Sequence, residues 1–123
     1  MPLSPDKLTE KILTEPRPLS DRQRRAVLCD RTHIRIIAGA GAGKTETLTR
    51  RIVYLLLVQQ VEPSAIVAFT FTEKAAQSMK SRVYERVKHL GGDDICARLG
   101  EMFIGTIHGY CYRLLEEHFG YGD

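Results

Sequence analysis

Apolar and polar positions along the chain switch between a helical spacing and short buried runs, and each switch marks an element. Asp6 to Thr14 reads as a short helix between proline-bearing stretches, with Pro2 and Pro5 before it and Pro16 and Pro18 after it. Ser20 opens a second helix through about Cys29, because serine at the N-cap with Gln23 three residues later has the form of a capping box and Ala26, Val27 and Leu28 follow. At His33 the pattern becomes β-branched, and His33-Ile34-Arg35-Ile36-Ile37 reads as a strand entering the glycine-rich loop Ala38-Gly39-Ala40-Gly41-Ala42-Gly43. Leu48, Ile52, Tyr54, Leu55, Leu56 and Leu57 then define a largely buried helix, bounded by that loop and by Pro63.

A second buried strand is expected over Ala65 to Thr70. Ala76, Met79, Val83, Val87 and Leu90 follow at spacings of three and four, with Lys80, Arg82, Arg86 and Lys88 mostly elsewhere around the wheel, until Gly91-Gly92 stops the helix. A short helix around Ile95 to Leu99 leads to a third strand, Met102 to Thr106, and a last helix, Ile107 to His118, ends at Gly120. The order β-α-β-α-β-α predicts an α/β fold, a parallel sheet with right-handed crossovers and flanking helices. Residues 1–18 form a lead-in and residues 19–123 a single α/β unit.

Composition narrows the class. With 123 residues, of which 43% are hydrophobic, the chain holds one domain at most. No apolar run approaches the roughly 18 residues of a membrane span, and MPLSPDKLTEKI has no apolar export core, so no membrane role and a cytoplasmic location are expected. Cys29, Cys96 and Cys111 are widely spaced without a CxxC pair and read as reduced thiols. The balance of 18 Lys+Arg against 15 Asp+Glu gives +3, mildly basic and uninformative as a sum. Five arginines, Arg22, Arg24, Arg25, Arg31 and Arg35, crowd one region, either as a solvated face or as an electrostatic phosphate contact.

The strongest chemical signal is a strand, a glycine-rich loop and then Gly43-Lys44-Thr45 opening a helix. Gly39, Gly41 and Gly43 permit close approach of backbone amides to phosphate oxygens, and the helix start adds its unsatisfied N–H groups and positive dipole end. Lys44 supplies a charge to the β and γ phosphates, and the Thr45 hydroxyl is placed to ligate Mg²⁺. Ala38, Gly39, Ala40, Gly41, Ala42, Gly43, Lys44 and Thr45 are therefore the candidate nucleotide cradle, with ATP and Mg²⁺ as its ligands, and Lys44 and Thr45 are the candidate catalytic pair. Ala38 stands where the strict pattern has glycine.

Four segments in order carry a resemblance. AGAGAGKT, Ala38 to Thr45, with Leu48, Arg50, Arg51 and Ile52 after it, is similar to the first motif of the UvrD/Rep/PcrA group of superfamily 1 DNA helicases, in which alanine stands at the first position. LSDRQ, Leu19 to Gln23, resembles the Q motif of that group. AFTFTEKAA, Ala68 to Ala76, resembles motif Ia, and GTIHGYCYRLL, Gly105 to Leu115, resembles the segment that commonly reads GTFHS. The resemblance implies a P-loop NTPase with a RecA-like fold that couples ATP hydrolysis to movement along single-stranded DNA and unwinding of duplex.

The residues keep their own chemistry beside it. An amide such as Gln23 can both donate to and accept from an adenine edge, as the resemblance implies, or simply close the capping box with Ser20. Phe69 is expected in the core by strand alternation. Phe71 lies where the strand ends, the edge at which ligands approach open parallel sheets; by resemblance it stacks on a DNA base, and otherwise it is another core aromatic. Thr70, Phe71, Thr72, Lys74, Thr106 and His108 are the implied DNA contacts. Thr72 also suits a helix cap, whereas a lysine at Lys74 opposes the dipole of a helix start unless a phosphate is present. His108 and Cys111 lack a further ligand pair for metal. The family commonly carries Asn where this chain has Glu73, serine at Gly109, phenylalanine at Ile107 and arginine at Glu46.

Hydrolysis needs a strand-borne Asp-Glu and γ-phosphate arginines. Asp93-Asp94 and Glu116-Glu117 fit neither place; by resemblance the required acids and the later motifs lie beyond Asp123, which implies that the chain is the front of a first motor domain, binding nucleotide with little turnover. The remainder of the helicase chain is then a partner, and self-association through an uncovered sheet edge is a hazard. A small P-loop phosphotransferase and a non-catalytic nucleic-acid-binding module are the competing readings.

Overall fold

Ser4 and Ser20 each start a helix by the same device. The computed structural model describes residues 4–29 and 42–119, so the expected strand His33–Ile37 and the loop residues Ala38, Gly39, Ala40 and Gly41 lie outside the described residues. Helix α1 spans Pro5–Thr14, with Ser4 Oγ accepting from the Lys7 amide. Helix α2 spans Asp21–Leu28, and the capping box is complete: Ser20 Oγ accepts from Gln23 N at 3.3 Å while Gln23 Oε1 accepts from Ser20 N at 2.9 Å. Helix α3, Ala42–Leu57, takes Gly43, Lys44 and Thr45 into its first turn.

The expected strand over Ala65 to Thr70 is shorter. Pro63–Ala65 form a 3-10 turn, in which the amides of Ala65 and Ile66 are used on Glu62 and Pro63 carbonyls, and β1 is confined to Val67–Phe69. Helix α4, Glu73–His89, is capped by Thr72, whose hydroxyl accepts from Ala75 N. It ends where the glycine pair predicts: Gly91 adopts φ +86°, Gly92 N donates to Val87 O, and Gly91 N donates to Lys88 O. In place of a helix over Ile95 to Leu99, a single helical turn α5, Asp93–Cys96, precedes a 3-10 turn at Leu99–Glu101. Two aspartates in the first turn favour the earlier start. Strand β2, Phe103–Gly105, lies inside the expected Met102 to Thr106, and helix α6 covers Ile107–Phe119.

Strands β1 and β2 are parallel, pairing Val67 with Phe103, Ala68 with Ile104 and Phe69 with Gly105. Among the described residues they form a two-stranded sheet in a mostly helical chain. Phe103 N donates to Ile66 O and Thr70 N to Gly105 O, carrying the ladder one residue past each end of β1. Ala68 and Ile104 point into the core with Ala76, Met79, Val83 and Val87 of α4 and Ile52, Val53 and Leu56 of α3. The alternation therefore sends Phe69 to the other face, where it is 44% exposed, which corrects its expected place in the core. There it meets Phe103 and Tyr110, with ring centroids 6.3 and 5.3 Å away. A Cβ on Gly105 would stand 2.8 Å from the far end of the Phe103 ring, so a larger residue there would push that ring aside.

Two consecutive arginines anchor α3. Arg50, 2% exposed, donates to the Leu13 carbonyl at the end of α1 and to Glu46. Arg51, 5% exposed, donates to the carbonyls of Ala26, Val27 and Cys29 at the end of α2. Each guanidinium meets the negative dipole end of a helix and carbonyls left without intrahelical donors. Burial pushes the Arg51 guanidinium below its ordinary value, though arginine stays charged. Glu46 joins α3 to α4 through Arg50, Arg82 and Arg86. Burial opposes its charge, but hydrogen bonds from Arg86 and Arg50 outweigh that and hold its carboxyl below the ordinary range.

Arg51→Met leaves three carbonyls without this donor, and a loss of about 2–4 kcal/mol is expected from the shift in urea midpoint. For Glu46 the folded value lies below the unfolded one, so its contribution is present above the unfolded value of 4.5 and is lost as pH falls through the folded value. Glu46→Gln should lower the melting temperature near neutral pH, with the gap to the parent chain closing in acid.

Candidate functional site

The parallel strands end at a common edge, and the residues that leave them build the site. After β1 come Thr70, Phe71, Thr72, Glu73 and Lys74; after β2 come Thr106, Ile107 and His108. Phe71 is 78% exposed, and Lys74 and His108 are also exposed. Thr70 N is held by Gly105 O at 2.8 Å, which ties the first turn to the second strand, and the Thr70 hydroxyl donates to Thr72 O. The Thr106 hydroxyl donates to Glu73 Oε1 and accepts from Gly109 N, both at 3.1 Å, and Thr106 O accepts from Tyr110 N, so Thr106 caps α6. The fold thus brings Thr70, Phe71, Thr72, Lys74, Thr106 and His108 to one edge.

Phe71 stands in solvent and is not a core aromatic. Phe69, Phe103 and Tyr110 form an aromatic cluster, with Phe103 and Tyr110 centroids 5.0 Å apart and the Arg113 guanidinium 5.7 Å from the Phe103 ring centre. Strand alternation read from sequence missed this cluster, although the aromatic at 110, four residues into the helix-starting turn, was visible. Glu73, set aside in sequence as a departure from Asn, proves to be the residue that links the two turns.

At the other candidate site the backbone of Gly43, Lys44 and Thr45 opens α3, and no acidic residue stands in that first turn. The side chains of Ala42, Gly43 and Lys44 lie outside the described residues. Thr45 is half-buried, and its carbonyl accepts from the Thr49 hydroxyl at 2.8 Å. The charge at this helix start favours an anion, because the first acid after it, Glu46, is already paired with arginines. Gln23 serves the capping box in this structure, so an adenine contact would share or release its side-chain oxygen.

Asp93 and Asp94 begin a helical turn and Glu116 lies within α6, so none of these acids stands at a strand end. Among the described residues no cluster of His, Cys, Asp and Glu is placed to hold a metal, and no helix is long and apolar enough to cross a membrane.

Residues 19–122 match the family model described as the UvrD/REP helicase N-terminal domain. The chain is 41% identical over 100 residues to DNA helicase II of Escherichia coli, covering 81% of this chain and 13% of that protein. It is 41% identical over 98 residues to the ATP-dependent DNA helicase SRS2 of Saccharomyces cerevisiae, covering 79% and 8% respectively. It is 40% identical over 112 residues to the ATP-dependent DNA helicase UvrD1 of Mycobacterium leprae, covering 91% and 13%. The chain therefore spans only about an eighth or less of the length of these DNA helicases. The family-model match over residues 19–122, together with these relatives at 40–41% identity, makes this chain a member of the UvrD/REP helicase N-terminal domain family.

Proposed function

We propose that the chain is the ATP-binding and DNA-contacting front of an ATP-dependent DNA helicase motor, a P-loop domain of RecA-like fold that moves along single-stranded DNA and separates duplex. The observation that carries this reading is the exposure of Phe71 at the carboxyl edge of two parallel strands, beside Lys74, Thr106 and His108. An aromatic left in solvent at that edge, next to a cation, is matched to a base and its phosphate.

Bound ATP with Mg²⁺ supplies the phosphoanhydride whose cleavage drives movement. The chain's own residues bind and orient it. The amides of Ala38 to Gly43 and the first turn of α3 receive phosphate oxygens, Lys44 neutralises their charge, and Thr45 offers its hydroxyl to the cation. Gln23 reads the adenine edge. On the opposite task, Phe71 stacks on a base while Lys74 and His108 meet the backbone. No Asp-Glu pair follows β1 or β2, so by this reading the activating acid and the γ-phosphate arginines come from other parts of the motor, and residues 19–123 hold nucleotide with little turnover. Residues 1–18 then lead into the domain through α1.

Two measurements test this. Lys44→Ala should weaken binding of a fluorescent ATP analogue by about tenfold or more, on the scale of one charge-assisted contact to phosphate. Robust DNA-stimulated hydrolysis by the parent chain, abolished in that variant, would contradict the assignment of the catalytic acid elsewhere. Phe71→Ala should weaken binding of a single-stranded oligonucleotide by about 1–3 kcal/mol, one stacked base. Unchanged affinity that collapses with salt would instead favour a purely electrostatic nucleic-acid module. Nucleotide binding with no response to DNA at all would favour a small phosphotransferase.

A further inference from the structure

The two turns that leave β1 and β2 are joined by a short chain of hydrogen bonds: the Gly109 amide donates to the Thr106 hydroxyl, which donates to Glu73 Oε1. A threonine hydroxyl carries one proton, so its donor is used on Glu73 and is turned away from any other acceptor. We propose that Glu73 is a specificity-determining gate at this edge. Its carboxylate withholds the Thr106 hydroxyl from an incoming phosphate and sets a negative charge beside Phe71 and Lys74, so backbone contact by Thr106 requires the Glu73 to Thr106 bond to open. The inference rests on reading this edge as the path of single-stranded DNA.

The geometry carries it in three steps. Glu73 is the first residue of α4, where the helix dipole favours an acid, so the carboxylate is at home there without any ligand. The Thr106 hydroxyl is fixed from the other side by its capping bond to Gly109, and the identity of the group that takes its proton is the remaining freedom. Finally, a Cβ on residue 109 would lie 3.3 Å from Thr106 Oγ1 and 3.6 Å from Glu73 Oε1. A side chain at 109 would ask the Thr106 hydroxyl to give by a few tenths of an ångström and would stand in contact with Glu73, and glycine leaves both where they are. Glu73 and Gly109, two positions at which the sequence departs from the motifs it resembles, are therefore one structural unit. The consequence is an edge that engages a strand first through the base stacked on Phe71, with backbone contact following only when the gate opens.

The test compares Glu73→Ala with Glu73→Gln in the full 123-residue chain, by fluorescence anisotropy of a labelled oligothymidylate at low salt. Glutamine keeps an acceptor for the Thr106 hydroxyl and removes only the charge; alanine removes both. Both variants sit on the exposed first residue of α4, outside the core. The expected result is tightening of about three- to tenfold for Glu73→Ala and only about twofold for Glu73→Gln. Equal tightening by the two assigns the effect to charge alone and overturns the gate. No tightening by either, with Phe71→Ala still weakening binding, overturns the gate and leaves the DNA path standing. Unchanged binding in all three variants overturns the path itself, and the gate with it.

Discussion

The structure hangs on the guanidinium groups of Arg50 and Arg51. Consecutive residues on a helix point about 100° apart, so neighbouring arginines on α3 reach two different helices, the end of α1 through Leu13 O and the end of α2 through the carbonyls of Ala26, Val27 and Cys29. Both contacts are nearly dry. In such surroundings a charged donor opposite the orphan carbonyls of a helix end is worth more than its exposed equivalent, and removing it leaves buried acceptors unmet. Helix α3 is thereby fixed in direction at its middle, and its first turn, which holds Gly43, Lys44 and Thr45, inherits that direction.

The second constraint is the register of the two strands. Parallel pairing makes both strands end at the same side, and the bond from Thr70 N to Gly105 O holds the two outgoing turns level. Helix caps then finish each turn: Thr72 for α4 and Thr106 for α6. The threonines at this edge spend their hydroxyls on the turns and helix starts: Thr70 on Thr72 O, Thr72 on Ala75 N and Thr106 on Gly109 N and Glu73. Phe71 stands exposed in the turn that Thr70 and Thr72 close.

Local chemistry was legible in the sequence, and long-range chemistry was not. Ser20 with Gln23 announced a capping box, and Gly91-Gly92 announced the end of α4, because each device is complete within a few residues. The strand over Ala65 to Thr70 was read too long since Pro63 draws the following amides into a 3-10 turn. Strand alternation was right in period but wrong in phase for Phe69: Ala68 takes the face toward α4, and Phe69 points the other way. Arg50 and Arg51 stand in the sequence only as part of the resembled first motif, with nothing to show what they bind. Their partners lie 37 and 22 to 25 residues away, a separation no local pattern encodes. Of the candidate site, the residue types at the strand ends could be named from sequence, while the bond from Thr106 to Glu73, 33 residues apart, needed the fold.

Two acids that depart from the resembled motifs, Glu46 and Glu73, show how the same charge has opposite consequences in two places. Glu46 follows Thr45 near the start of α3, where an uncompensated carboxylate would repel an anion; Arg86 and Arg50 hold its carboxyl low, and Arg82 and Arg86 make its charge a tie between α3 and α4. Glu73 stands at the start of α4 with a hydroxyl, not a guanidinium, as its partner. A hydroxyl bond orients the carboxylate without cancelling its charge. The acid in the second turn of α3 is therefore tied to three guanidinium groups, whereas the acid at the edge where β1 and β2 end is held by a single hydroxyl.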